Sequence, residues 1–374
     1  MLHYIAILTT ITYKRAFIER GITMRSEDIA KLAGVSRSTV SRVINNYPNV
    51  PEATRQKVLE VIQQHQYEPN AFARALAGKG TDTIGLFAIS MNEQEHTSRI
   101  YQNSYFAPIV DLVVDTANAQ GFYVLIHTIY SPDDFHKVKQ AFSQKRIDGG
   151  ILVGIQNDIN LVSEMVQQDA PLVLIDYNIS EIISEHLDKN HLAIMNSRDY
   201  EGTVEAIEYL INLGHQQIGM VCGKMDTFSG RERYMAYKDT MQKHGLSIQE
   251  KFVLGGDFLK ETAYSSVEKL VAAGDLPTAL FCANDVMAIA AIEALNASGL
   301  QVPADLSIVG FDDATLSSHI SPKLTTVRLP IAEMAKAAVD KVISLCQDES
   351  TSFSTMSFPT KFIIRESCSQ LHDC

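Results

Sequence analysis

The chain has 374 residues, 46% of them hydrophobic, which is long enough for two or three domains and a sizeable core. No uninterrupted apolar run of about 18 residues occurs, so no membrane span is expected. Charge is unevenly divided: residues 24–80 carry 8 Lys and Arg against 5 Asp and Glu, and residues 81–374 carry 21 against 38, so a small basic segment precedes an acidic body and an anionic partner is expected at one end only.

Residues 1–23 hold an apolar stretch without a preceding basic region or a small-residue cleavage site, which opposes a signal peptide. They are expected to be a non-native or disordered N-terminal extension. Residues 24–68 read as a helix-turn-helix domain. Ser26 is expected to cap a first helix running through Ala33, with Glu27 and Asp28 at its positive end. Gly34 ends it in a left-handed turn, and Ala30 and Ala33 allow a close crossing. Ser36 caps a second helix whose Val35, Val40, Val43 and Ile44 share one side.

The opposite face is basic and hydroxylic, as a helix entering the major groove requires. Arg37, Ser38 and Arg42 are expected to read bases, because Arg presents two parallel donors to guanine. Ser36, Thr39, Ser41 and Asn45 are short donors suited to phosphate oxygens. Taken alone, the same pattern also fits an ordinary helical hairpin with a solvated polar face. A third helix starts at Pro51, with Val58, Val61 and Ile62 on its apolar side. Residues 69–80 then hold a short Ala-rich segment, with Asn70 as a helix cap and Gly78-Lys79-Gly80 as its end. Barely two turns long, such a helix is marginal in water and is expected to fold only against a partner.

The run AGVSRSTVSRVINNYPNVPEATRQKVLEVIQQHQYEPNAFARALAGK resembles the DNA-binding and hinge region of the LacI/GalR family of bacterial transcription regulators. That resemblance implies that residues 69–80 form a hinge helix that orders on operator DNA. Asn70 would then meet phosphate, Leu76 would wedge into the minor groove, and Ala73 and Ala77 would pack against the dimer mate. The competing reading is a flexible linker with a stray leucine.

From Thr83 onward short apolar runs (TIGLFAIS, YVLIHT, GGILVG, LVLID, LAIMN, IGMVCG, TALFCAN, LSIVGFDD) alternate with helical patterns, which is an α/β body with parallel sheets. Several runs end in Asn, Asp or Gly, placing polar groups at the carboxyl ends of strands, where open sheets bind ligands. The resemblance continues to about residue 367 and implies a two-lobed body like a periplasmic binding protein: a first lobe of about 81–195 plus 327–350, and a second of about 196–324 plus 351–367. It places Tyr105 and Phe106 from the first lobe, and Arg233, Asn284 and Asp312 from the second, around a small-molecule effector, with a chemistry suited to sugars and other hydroxyl-rich ligands. Each has a plainer rival: Arg233 in a structural ion pair, Asp312 capping a turn, Tyr105 or Phe106 as helix-start core. Asp285 is expected to cap the following helix, and His215 to serve helix-end carbonyls as a cation. Where the family commonly has Asp-Asn, this chain has Arg198-Asp199, and where it commonly has Gly, Ala236.

The five cysteines are scattered and never form a Cys-x-x-Cys pair, which opposes a disulfide framework or zinc site and fits a reducing cytosol. Cys368 and Cys374 are expected near an exposed tail. No hydrolase, P-loop, zincin or dinucleotide motif appears, so neither catalysis nor a cofactor is expected. The reading is a cytoplasmic, homodimeric repressor. It would bind pseudo-palindromic double-stranded operator DNA under the control of an effector, with no membrane contact and no coiled-coil tetramer. A solute-binding protein or a sugar-modifying enzyme would share the body but not the head.

Overall fold

A computed structural model describes residues 24–67, 80–90, 104–154, 159–168, 170–178, 180, 191–347 and 353–371. Residues 1–23 and the hinge positions Asn70, Ala73, Leu76 and Ala77 lie outside the described residues. The chain divides into two units, residues 1–81 and 82–374.

Among its described residues the first unit holds the helices Ser26–Ala33, Arg37–Ile44 and Glu52–His65. Ile29, Ala30, Ala33, Val40, Val43, Val50 and Val58 form their buried core, with Val35, Ile44, Val61 and Ile62 packed against it. The expected apolar stripes are therefore the packed ones. The first helix begins one position earlier than Ser26 as a cap would allow. Arg25 is the cap residue, and its backbone N–H donates to Asp28 Oδ2 at 3.0 Å. Gly34 takes φ 63°, the left-handed conformation that its missing Cβ permits. Ser36 caps the second helix, accepting from the Thr39 N–H at 3.1 Å. Arg55 fastens the next loop, donating to Asn46 Oδ1 at 2.9 Å and to the Tyr47 carbonyl at 2.6 Å.

The second unit contains two six-stranded sheets. The strands, in chain order, are β1 (Thr83–Ile89), β2 (Tyr123–Ile129), β3 (Gly149–Val153), β4 (Leu172–Ile175), β5 (Leu192–Ser197), β6 (Ile218–Cys222), β7 (Val253–Gly255), β8 (Ala279–Cys282), β9 (Ser307–Asp312), β10 (Thr325–Arg328), β11 (Ser354–Phe358) and β12 (Lys361–Ile363). The first sheet runs β2-β1-β3-β4-β5-β11, with every pair parallel. The second runs β7-β6-β8-β9-β10-β12, parallel except for the antiparallel last pair.

Parallel strands need helical crossovers, so both faces of each sheet are covered and the strands read as continuous apolar runs. Successive side chains of the first sheet serve different cores: Ile84, Leu86, Ile151, Val153 and Val173 in one, Phe87, Ile89, Leu152, Leu172 and Leu174 in the other. Three segments cross between lobes: after β5 into the helix Asp199–Asn212, after β10 into the helix Ile331–Cys346, and between β11 and β12.

The expected lobe boundaries shift at two places. Strand β10 belongs to the second sheet throughout, and β11, expected in the second lobe, pairs with β5 in the first. Residues 351–367 are thus divided between the lobes, because the edge of the first sheet beside β5 accepts a further parallel strand.

Asp285 does not cap its helix; Asn284 does, its Oδ1 accepting from the Met287 N–H at 2.8 Å. The Asp285 carboxylate is fully buried. It accepts from the Ala314 N–H at 2.8 Å, Ser317 Oγ at 2.6 Å and Thr326 Oγ1 at 2.6 Å, joining the loop after β9 to β10. Gly310 makes room for it, since a Cβ there would stand 2.2 Å from Asp285 Oδ1. His215 is structural as expected, but not as a helix-end cation. Burial lowers its pKa, and its ring meets Thr278 Oγ1 at 3.0 Å and the Ser369 carbonyl at 3.1 Å. Cys368 is half-buried with its thiol 3.2 Å from the Ile308 carbonyl, and burial pushes that thiol up to about 12. The expected exposed position is therefore corrected for Cys368, while Cys374 lies outside the described residues.

Asp285→Ala would strip three donors of their acceptor, at a cost of about 3 kcal/mol in stability. Urea unfolding of the two proteins checks this; a midpoint unchanged in the variant would remove the carboxylate from the account of the fold.

Candidate functional site

Two surfaces carry the candidate chemistry, one in each unit. On the second helix of the first unit, Arg37, Ser38, Ser41 and Arg42 are exposed, while Thr39 and Asn45 are half-buried. Arg37 is not idle: Nε meets Ser26 Oγ at 3.2 Å and Nη1 meets Glu27 Oε1 at 3.4 Å. An ion pair this exposed holds weakly, so a phosphate or base edge can replace it. The hydroxyls of Ser36, Ser38 and Thr39 bond one another at the start of the helix, at 2.7 and 2.8 Å. Asn45 Nδ2 donates to Ser41 Oγ at 3.2 Å. Ser36, Ser38 and Thr39 lie at the helix start, where the backbone N–H groups also favour anions, while Arg42 and Asn45 lie at its other end.

The second surface lies where the lobes meet. Arg233, on the helix Phe228–Lys243 of the second lobe, is 4% exposed. Its Nε donates to Asp199 Oδ2 at 2.8 Å, Nη2 stands 2.7 Å from the same oxygen, and Nη1 donates to the Ala283 carbonyl. Asp312 Oδ1 is 3.7 Å from Nη1, and the guanidinium lies 3.7 Å from the Phe311 ring centroid and 5.7 Å from that of Phe258. Burial alone would lower the Arg233 pKa; Asp199 and Asp312 overcome that and hold it above its usual value. Burial raises Asp312 well above the carboxylate range against the pull of Arg233.

The first lobe contributes Asp176, just past β4. Its carboxylate accepts from the Ser229 N–H at 2.9 Å and Ser229 Oγ at 2.8 Å, a direct bond between lobes at the start of the Arg233 helix. Burial, and then the charge of Asp199, raise Asp176 from about 3.8 to about 6. Tyr105 touches the cores of both lobes. Burial raises its hydroxyl well above the ordinary value, with Asp176, Asp199, Arg233 and Asp312 all acting on it. Phe106 packs edge-on to Tyr105, with ring centroids 5.4 Å apart, and belongs to the first-lobe core. Its expected cleft position is thus mostly core. Asn284 spends its oxygen as the helix cap and reaches the Phe258 carbonyl through Nδ2 at 3.5 Å.

The structure therefore brings together Tyr105, Arg233, Asn284 and Asp312, and adds Asp176, Asp199, Ser229, Phe258 and Phe311. Asp176 was visible as the acid ending LVLID. Asp199 and Ser229 reach the cleft only through tertiary packing. Left-handed backbone marks the same region, at Asp176 (φ 63°), Asp257 (53°), Phe258 (61°), Asp312 (120°) and Asp313 (57°). Such conformations persist where the surroundings over-determine them, often at ligand sites. No cluster of His, Cys, Asp and Glu able to hold a metal, and no helix long and apolar enough to cross a membrane, occurs among the described residues.

Because its proton is held more tightly in the folded chain, Asp176 favours folding most below about pH 3.8 and loses that contribution as pH rises through about 6. Melts between pH 4 and 7 should show wild type losing ground relative to Asp176→Asn as pH rises. Parallel curves would mean that the group is not perturbed.

Residues 26–70 match the family model for bacterial regulatory proteins of the lacI family, and residues 207–368 match a periplasmic binding protein-like domain. The chain is 34% identical over 348 residues to a probable HTH-type transcriptional repressor ExuR of Bacillus subtilis, covering 92% of this chain and 98% of that protein. It is 32% identical over 345 residues to an HTH-type transcriptional repressor PurR of Haemophilus influenzae, covering 91% and 97%. Among solved structures, a Lac repressor dimer bound to operator and the anti-inducer ONPF aligns with TM-score 0.75 at 26% identity, over 93% of this chain and all of that one. A complex of the transcriptional regulator CelR with cellobiose aligns with TM-score 0.69 at 28% identity, over 92% and 99%.

Proposed function

The chain belongs to the LacI family of bacterial regulatory proteins, and on that premise we propose how its two surfaces work together. It is a DNA-binding transcription regulator with a periplasmic-binding-protein-like body, and its relatives are transcriptional repressors, not enzymes. In our reading it is a cytoplasmic repressor acting as a homodimer on a pseudo-palindromic operator, with a sugar or sugar derivative as effector. Residues 24–68 read DNA, residues 69–80 form the hinge, and residues 81–374 bind effector and dimer mate.

The observation that carries this reading is the Ser36-capped helix with Arg37 and Arg42 on its exposed face. Arg37, Ser38 and Arg42 face base edges, and Ser36, Thr39, Ser41, Asn45 and Asn70 face phosphate. Leu76 enters the minor groove, flanked by Ala73 and Ala77. The names of two structural neighbours support a small-molecule ligand in such a body: one is complexed with cellobiose and one with an anti-inducer. Tyr105, Arg233, Asn284 and Asp312 surround the ligand, with Phe106 supporting Tyr105. Effector and operator must then shift each other's affinity by one and the same factor.

Selection from a randomised duplex pool should yield one pseudo-palindromic sequence; binding without sequence preference would overturn the reading. With that operator in hand, Arg42→Ala should cost about 1–3 kcal/mol at a single base pair and relax preference there. Uniform weakening over all sequences would make Arg42 a phosphate contact. Leu76→Ala should lower operator affinity sharply while leaving effector affinity nearly intact, and unchanged operator affinity would remove the wedge.

A further inference from the structure

The cleft of a family of sugar-responsive regulators can in principle meet neutral sugars, sugar acids or sugar phosphates, and an arginine in such a cleft invites the anionic choices. Here Arg233 is already engaged. A guanidinium has five N–H donors, and its Nε–Nη2 edge, the fork that matches a carboxylate or phosphate, is occupied by Asp199 at 2.8 and 2.7 Å. Nη1 serves the Ala283 carbonyl, and Phe311 covers the guanidinium face at 3.7 Å. What remains accessible is not a bidentate anion site.

The surrounding charges point the same way. Asp176, Asp199 and Asp312 act on the Tyr105 hydroxyl, together with the Arg233 guanidinium. A ligand carboxylate or phosphate entering beside Tyr105 would meet the carboxylates of Asp176 and Asp199 among buried groups, where like-charge repulsion is strong, while burial favours the neutral form of Asp312. Carboxyl groups, by contrast, accept well from ligand hydroxyls or an ammonium group. Asp199 is itself firmly held. It stands at the first position of the helix Asp199–Asn212, 2% exposed, with Ser197 Oγ donating to its other oxygen.

We propose that Asp199, by occupying the Arg233 fork, makes this cleft selective for a hydroxyl-rich effector without negative charge and excludes the uronic acid and phosphate ester of the same sugar. The proposal rests on the effector-cleft reading above and sharpens it to a ligand class. Asp199 is a specificity-determining residue: with Asn in its place the guanidinium loses its counter-charge, and its fork is held only by a neutral acceptor that an anion can displace.

The test uses the full chain. Thermal shifts are measured with matched sets of an aldose, its amino sugar, its uronic acid and its 6-phosphate, and separately with inorganic phosphate at low ionic strength. Wild type should be stabilised by neutral or amino members at least tenfold more effectively than by their acids, and should not respond to phosphate. Asp199→Asn should gain affinity for phosphate at least tenfold. Preference of wild type for any acid over its neutral parent overturns the proposal, as does an Asn variant that responds to phosphate no more than wild type. Should the variant fold poorly, the comparison of neutral and anionic ligands on wild type alone decides. Success of the duplex selection together with anion preference sinks this inference and spares the regulator reading, whereas failure of the selection sinks that reading itself.

Discussion

The body of this protein depends on a buried guanidinium held between carboxylates at the junction of its lobes. Removing Arg233, Asp199 and Asp312 from water is costly, and the attraction between them repays that cost only when the geometry is good and the remaining donors are satisfied. The contacts supply much of this: Asp199 takes the Nε–Nη2 edge, the Ala283 carbonyl takes one Nη1 proton, and the Phe311 and Phe258 rings lie beside the guanidinium. A group so expensive to bury adds little net stability. What it does fix is geometry, since it ties the helix Phe228–Lys243 to the start of the helix Asp199–Asn212 and to the end of β8.

The two units are built on different principles. The DNA-reading unit has a small core of Ala, Val and Ile, and depends on caps and turns: Arg25 and Asp28, the left-handed Gly34, Ser36, and Arg55 on the Asn46–Tyr47 loop. Its polar groups are left to face outward. In the body, sheets covered on both faces supply the core, and the polar groups are gathered at the carboxyl ends of the strands. The opposite charge of the two segments follows from this division. A basic reader suits an anionic polymer, while an acidic body discourages indiscriminate attachment to it.

What could be read from the chain follows the range of the interaction. The DNA-reading helices were legible because caps, glycine and apolar spacing act within a few residues, and the parallel sheets because their strands are unbroken apolar runs. Errors arose where neighbouring residues offer the same chemistry. Asn284 and Asp285 can both cap a helix, and packing rather than propensity sends the second into a network with Ser317 and Thr326. Strand β11 was placed in the wrong lobe because nothing local tells a strand which of two open edges to join. The Asp199–Arg233 pair spans 34 positions, and no pattern in the chain announces it; the rival reading of Arg233 as one end of an ion pair described its contacts correctly. That pairing does not exclude the proposed effector role, since Arg233 and Asp199 sit where the lobes meet.

The location of these residues ties recognition to motion. Asp199 begins the helix entered from the first crossing between lobes, and its neighbour Arg198 donates its N–H to the Phe358 carbonyl at the end of β11, while the Arg198 carbonyl accepts from Thr360 at 3.3 Å in the third crossing. The Asp312 carbonyl accepts from the Leu329 N–H at 3.4 Å in the second. All three crossings are therefore within one bond of a cleft carboxylate residue or its neighbour, and Asp176 to Ser229 closes the gap between lobes directly. A change of bonding at these carboxyl groups therefore reaches the connecting segments without a long chain of intermediaries. The free energy available for switching is set by how differently a ligand bonds to those groups in the open and closed arrangements.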